Sequence, residues 1–85
     1  MKTFTHRIQD PLGLHARPAG MLVKAAAGYD CAITIEAPSG KADAKRIMAV
    51  MRLSAKQGME LTITCAGTDE AAAAEGLQKF CRENL

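Results

Sequence analysis

Apolar and polar positions change their period several times along the chain, so strands and helices must alternate. Phe4, His6 and Ile8 fall on one side of an alternating segment and Thr3, Thr5 and Arg7 on the other, which predicts a first strand. Asp10-Pro11-Leu12-Gly13 ends it with turn chemistry. From about Ala16 to Ala27 the period becomes helical. Ala19, Leu22, Val23 and Ala26 form its apolar stripe. Pro18 sits in the first turn, where a missing N–H costs nothing, and Gly28 is expected to close the helix as a left-handed C-cap. Cys31 to Glu36 reads as a second strand with Ile33 and Ile35 on one face. Ala37-Pro38-Ser39-Gly40 turns it back into a short third strand around Lys41 to Ala44. A brief helix follows, roughly Ile47 to Leu53, and Gly58 ends the connection beyond it. Leu61, Ile63 and Cys65 then alternate with Glu60, Thr62 and Thr64. Asp69 is placed to N-cap a last helix running to about Arg82, with Ala73, Leu77, Phe80 and Cys81 as its buried stripe. Gly76 inside that helix should cost about 1 kcal/mol relative to Ala. The order is β-α-β-β-α-β-α, and each strand has one apolar face. The expected fold is α+β: an open-faced β-sandwich, a four-stranded antiparallel sheet with three helices on one face.

Composition narrows what such a fold could do. At 85 residues, positions 1–85 make one domain, and a domain this small buries only roughly 60–65% of its unfolded surface. A deep cofactor pocket does not fit, so function belongs on an exposed face or loop and no cofactor is expected. Two Phe, one Tyr and no Trp leave the core to Ala, Leu, Ile, Val and Met. The net charge of +2 is too mild for a dedicated duplex-binding protein. Single-stranded RNA readers on small sheets stack bases on exposed aromatics, and Phe4 and Phe80 are already claimed by a strand face and a helix stripe. Three widely spaced cysteines, Cys31, Cys65 and Cys81, make a poor disulfide framework and fit a reducing compartment. No His stands at zinc-ligand spacing from a Cys, so no metal site is expected. The N-terminal segment lacks a run apolar enough for a signal peptide or membrane span. These features point to a cytoplasmic, soluble protein without membrane insertion.

The informative stretch is Gly13-Leu14-His15-Ala16-Arg17-Pro18-Ala19. It sets a histidine immediately before a helix whose start Pro18 fixes. The first N–H groups of a helix have no intrahelical partners, and the macrodipole makes that end electropositive, so an anion is favoured there. The same field disfavours a positive charge on His15, which should stay neutral and nucleophilic. Backbone N–H groups of Ala16 and Arg17 face the same place, and the Arg17 guanidinium can add a charge-assisted contact. Gly13 is expected to keep the approach open. A lone histidine at a helix start is ordinarily an exposed cap. Its company of Gly13, Arg17, Pro18 and an exposed Met21 favours a phosphoryl group carried on the imidazole itself. His6, by contrast, reads as a partly buried strand histidine with no part in chemistry.

The seven residues from Gly13 to Ala19 resemble the active-site signature of HPr, the histidine-containing phosphocarrier family of the bacterial phosphoenolpyruvate-dependent sugar phosphotransferase system. Lys45-Arg46-Ile47-Met48-Ala49-Val50-Met51 is similar to the family's second signature, and Lys56-Gln57-Gly58 continues the match over nearly the whole chain. The resemblance implies a carrier rather than a stand-alone enzyme. His15 would accept a phosphoryl group at Nδ1 from enzyme I and donate it to a IIA domain of a sugar permease, with Arg17 stabilising the transferred group. It also implies a partner-binding surface of Gly20, Met21, Lys24, Ile47, Met48 and Met51, ringed by Lys45 and Arg46. Methionine repacks easily against successive partners. Transcriptional or metabolic regulators could use the same surface, and a monomer is expected. Related carriers serve nitrogen-linked or dihydroxyacetone branches, so the acceptor stays open. Many low-GC Gram-positive members carry a kinase-regulated serine immediately before the residue matching Ile47. Arg46 stands there in this chain and puts that switch in doubt.

Overall fold

In the computed structural model, which describes residues 1–85, the elements follow the expected order: β1 (Lys2–Arg7), α1 (Ala16–Ala27), β2 (Ala32–Ala37), β3 (Gly40–Asp43), α2 (Ile47–Arg52), β4 (Glu60–Ala66) and α3 (Glu70–Asn84). Every strand pair is antiparallel and the spatial order is β1-β4-β2-β3. The register sets Phe4 and Ile35 on either side of Ile63, with Ile33 beside Cys65. Thr3, Thr34 and Thr64 meet on the opposite face, as do Thr5, Glu36 and Thr62. One sheet face is therefore apolar and the other polar. The hairpin joining β2 to β3 closes through Pro38-Ser39, with Ala37 opposite Gly40.

The helices cover the apolar face through short side chains. In α1 the buried residues are Pro18, Ala19, Leu22 and Ala26, with Val23 half-buried at the rim. In α3 they are Ala73, Leu77 and Cys81, with Phe80 half-buried beside them. No aromatic ring belongs to the fully buried core. Leu22, Ile33, Ile35, Leu61, Ile63 and Leu77 fill it instead, each contributing about 1.5–3 kcal/mol by leaving water.

Two local expectations need correction, and a third gains a reason. Gly28 is right-handed, at φ −75° and ψ −6°. The last turn of α1 tightens instead: Gly28 N–H donates to Ala25 O at 3.2 Å and Tyr29 N–H to Ala26 O at 3.1 Å, so no left-handed residue is needed. Asp69 occupies the N-cap position of α3 but makes no cap hydrogen bond. Its carboxylate accepts the N–H groups of Asp30 at 2.8 Å and Cys31 at 2.9 Å. That tie holds the chain just ahead of β2, which begins at Ala32 rather than Cys31. Gly76 is more than a weak spot in α3. A Cβ there would overlap the Tyr29 hydroxyl, so its missing side chain makes the socket into which Tyr29 docks.

All three cysteines are free and buried. Burial, with Asp69 alongside, pushes the Cys31 thiol up to about 11. Burial alone pushes Cys81 up to about 12, and it raises Cys65 as well. They pack as small apolar side chains.

Candidate functional site

His15 is the N-cap of α1, with extended backbone at φ −81° and ψ −176°, and its side chain makes no cap hydrogen bond. Its carbonyl accepts the N–H of Ala19 at 3.0 Å, and Pro18 has no N–H to offer. The N–H groups of Ala16 and Arg17 are therefore the donors left over in the first turn. No acidic residue stands in that turn to offset the dipole. Arg17 is exposed and forms no ion pair. His15 and Arg17 share the wall of an open hollow of about 280 Å³ with Asp10, Pro18, Met21, Glu83 and Asn84.

The approach to the site is held from three directions. Asp10 Oδ1 accepts the Leu12 N–H at 2.8 Å, and Asp10 O accepts the Gly13 N–H at 2.9 Å, which closes a tight turn. Leu14 N–H donates to Ala55 O at 2.9 Å, tying the segment to the chain between α2 and β4. Gln9 and Asp10 donate their N–H groups to Leu85 O, joining the segment to the residue after α3. Gly13 has another task than leaving the approach open. It is buried, at φ +69°, and a Cβ there would overlap Ala55 O and sit 2.8 Å from Lys56 Cα. Glycine is required for that backbone crossing.

The remaining sequence-singled residues divide. Met21, Ile47, Met48 and Met51 are exposed large apolar side chains, Met48 the most so at 63%. Lys24 is exposed and Gly20 half-exposed on α1, which packs against α2. Lys45 does not join a free basic rim, because its ammonium donates to the Tyr29 carbonyl at 2.6 Å. Arg46 is exposed at the N-cap of α2 with no cap hydrogen bond. His6 is half-buried on β1, its Nε2 enclosed without a partner, and it does not line the hollow.

The sequence reading missed three wall residues. Asp10 registered only as a turn former. Glu83 and Asn84 carry no local signal, since only the folding of α3 brings them to residue 15.

An open-faced sandwich that presents one imidazole and one arginine at a bare helix start has the make-up of a small histidine phosphocarrier. Comparison with known proteins gives the same class. The family model described as the PTS HPr component phosphorylation site matches residues 2–83. A phosphocarrier protein HPr of Lysinibacillus sphaericus is 41% identical over 98% of this chain and 94% of its own length. The solved histidine-containing phosphocarrier protein of a mycoplasma superposes with a TM-score of 0.93 at 36% identity, covering 96% of this chain and 93% of that one. An HPr dimer from Thermoanaerobacter tengcongensis superposes at 0.77 with 35% identity, over 98% and 95% of the two chains. The chain belongs to the HPr family, the phosphocarriers of the phosphotransferase system.

Proposed function

We propose that His15 is the phosphoryl-carrying residue, charged by phosphorylated enzyme I and discharged to a IIA domain of a sugar permease. The observation that carries this reading is the start of α1, where two free backbone N–H groups, an unpaired Arg17 and a half-exposed His15 lie together with no acidic residue in the turn. Phosphoryl transfer asks chiefly for positioning and for charge stabilisation on three oxygens. Ala16 N–H, Arg17 N–H and the Arg17 guanidinium supply donors for those oxygens, the guanidinium in charge-assisted form. An open hollow lets two partners reach the same nitrogen in turn. Both partners would dock on Gly20, Met21, Lys24, Ile47, Met48 and Met51, with Arg46 contributing positive charge and Lys45 left out.

On this reading residues 1–85 act as one domain, a cytoplasmic carrier without cofactor that works as a monomer. No helix is long and apolar enough to cross a membrane. Arg46 offers no hydroxyl at the α2 start, so HPr kinase with ATP should leave the chain unlabelled. A serine phosphate after that treatment would overturn this part.

The carrier reading is tested by incubating the protein with phosphoenolpyruvate, Mg²⁺ and a bacterial enzyme I and weighing it intact. The expected result is one acid-labile phosphoryl group, absent in His15→Ala. Labelling that survives in His15→Ala would overturn it.

A further inference from the structure

His15 makes no cap hydrogen bond, and the ionic group facing its ring is Asp10, whose Oδ2 lies 3.6 Å from Nε2. This carboxylate is not a loose surface group. Oδ1 is held by the Leu12 N–H at 2.8 Å, the Asp10 carbonyl by the Gly13 N–H at 2.9 Å, and the Asp10 N–H by Leu85 O at 3.0 Å. With one oxygen pinned into the turn, the other has little freedom except toward the imidazole. The two side chains are only 26% and 34% exposed. A separation of 3.6 Å is an ionic contact rather than a hydrogen bond.

We propose that Asp10 is a positioning residue for phosphoryl transfer, its carboxylate holding the proton on Nε2 of His15 so that Nδ1 presents the nucleophilic lone pair. This deepens the carrier reading of His15 and rests on it. Which imidazole nitrogen bears the proton is set by what the other atoms of the ring face. A carboxylate at Nε2 favours N–H there and repels an incoming phosphoryl dianion from that nitrogen. In the accepting step the Nδ1 lone pair forms the N–P bond as the donor's bond to phosphorus breaks, its electron pair leaving with the donor. Nε2 keeps its proton, so the ring gains one positive charge, and Asp10 faces that charge. In the donating step the acceptor's nucleophile forms its bond to phosphorus as the N–P bond breaks, the electron pair of that bond returns to Nδ1, and the charge is lost from the ring. Arg17 and the α1 start act on the phosphoryl oxygens, and Asp10 on the ring. Glu83, in the same hollow, is the other carboxylate of the wall.

The test compares Asp10→Asn with Asp10→Ala in the full chain. Asparagine keeps an oxygen for the Leu12 N–H and removes the charge, whereas alanine removes both. Ring ¹⁵N NMR of neutral His15 reads the tautomer ratio directly, with no partner protein present. The expected result is a dominant Nε2–H form in the parent and a ratio reduced about two- to fivefold in Asp10→Asn, the range an exposed ion pair supports. The rate of phosphoryl acceptance from enzyme I should fall by a similar factor. A parental ratio and rate in Asp10→Asn, with only Asp10→Ala impaired, would reduce Asp10 to a turn former and overturn the proposal. A changed ratio in chains that accept no phosphoryl group would uphold Asp10's hold on the ring and overturn the carrier reading instead.

Discussion

Helices α1 and α3 begin in opposite electrostatic surroundings. At the α3 start, Glu70 stands in the first turn, accepts the Gly67 N–H and pairs with the Met1 amino group, while Asp69 accepts two N–H groups ahead of β2. Its carboxylates are engaged and its dipole is offset. In the first turn of α1 there is no acidic residue, no side-chain capping bond and an arginine where a carboxylate would stabilise the helix, and the one carboxylate paired nearby, Asp10, faces the His15 ring rather than the backbone N–H groups. The cost of that arrangement, about 0.3–1 kcal/mol for a charge of the wrong sign, is borne where the chain also exposes an imidazole. The difference separates a helix end used to hold the fold from one left electropositive for an anion.

Reversing the charge at α1 should break the contrast most strongly. Arg17→Glu should lower the rate of phosphoryl acceptance about 10²–10³-fold, the range for losing a transition-state donor. It should at the same time raise thermal stability slightly, because an acidic first turn suits the dipole. Steady-state transfer kinetics and a melting curve on one sample check both halves. A variant that loses stability along with activity would show Arg17 to be structural.

Gly13→Ala probes the same start through its backbone. The required Cβ would overlap Ala55 O at a φ of +69°, so unfolding free energy should fall by about 1–3 kcal/mol. Denaturant titration measures it. No loss would mean that the crossing of residues 13 and 55 is looser than described.

The smallest effect belongs to α3. Backbone N–H donation, first from Asp30, holds the Asp69 carboxyl below the usual range, and the Met1 amino group does the same for Glu70. Groups with depressed folded values stabilise the fold above their unfolded values, about 3.9 for Asp and 4.3 for Glu, and that stability is lost as pH falls through the folded ones. The amides of Asp30 and Cys31 should therefore lose hydrogen-exchange protection on acidification below about pH 4. Asp69→Asn should flatten that dependence. Acid-insensitive protection would contradict the role given to Asp69.

Much of this was legible in the chain because it is local. Alternation at Phe4-Ile8 and Leu61-Cys65 and the stripe of α1 follow from backbone period alone. The pairing of His15 with Arg17 needs only one helical turn. What failed depended on distant partners. The role of Gly13 is hidden from the sequence because Ala55 lies far along the chain. Gly76 appeared only as a helix defect until Tyr29 was found against it. Asp69 was given to the nearest N–H groups although those of Asp30 and Cys31 take it. The wall formed by Asp10, Glu83 and Asn84 joins the two ends of the sequence, and no local pattern announces such a meeting.

The central claim, that the bare start of α1 receives the phosphoryl group, is tested most directly by amide NMR before and after phosphorylation. On phosphorylation the N–H resonances of Ala16 and Arg17 should move furthest downfield, while those at the α3 start stay in place. Unmoved Ala16 and Arg17 amides in a chain phosphorylated at His15 would contradict it.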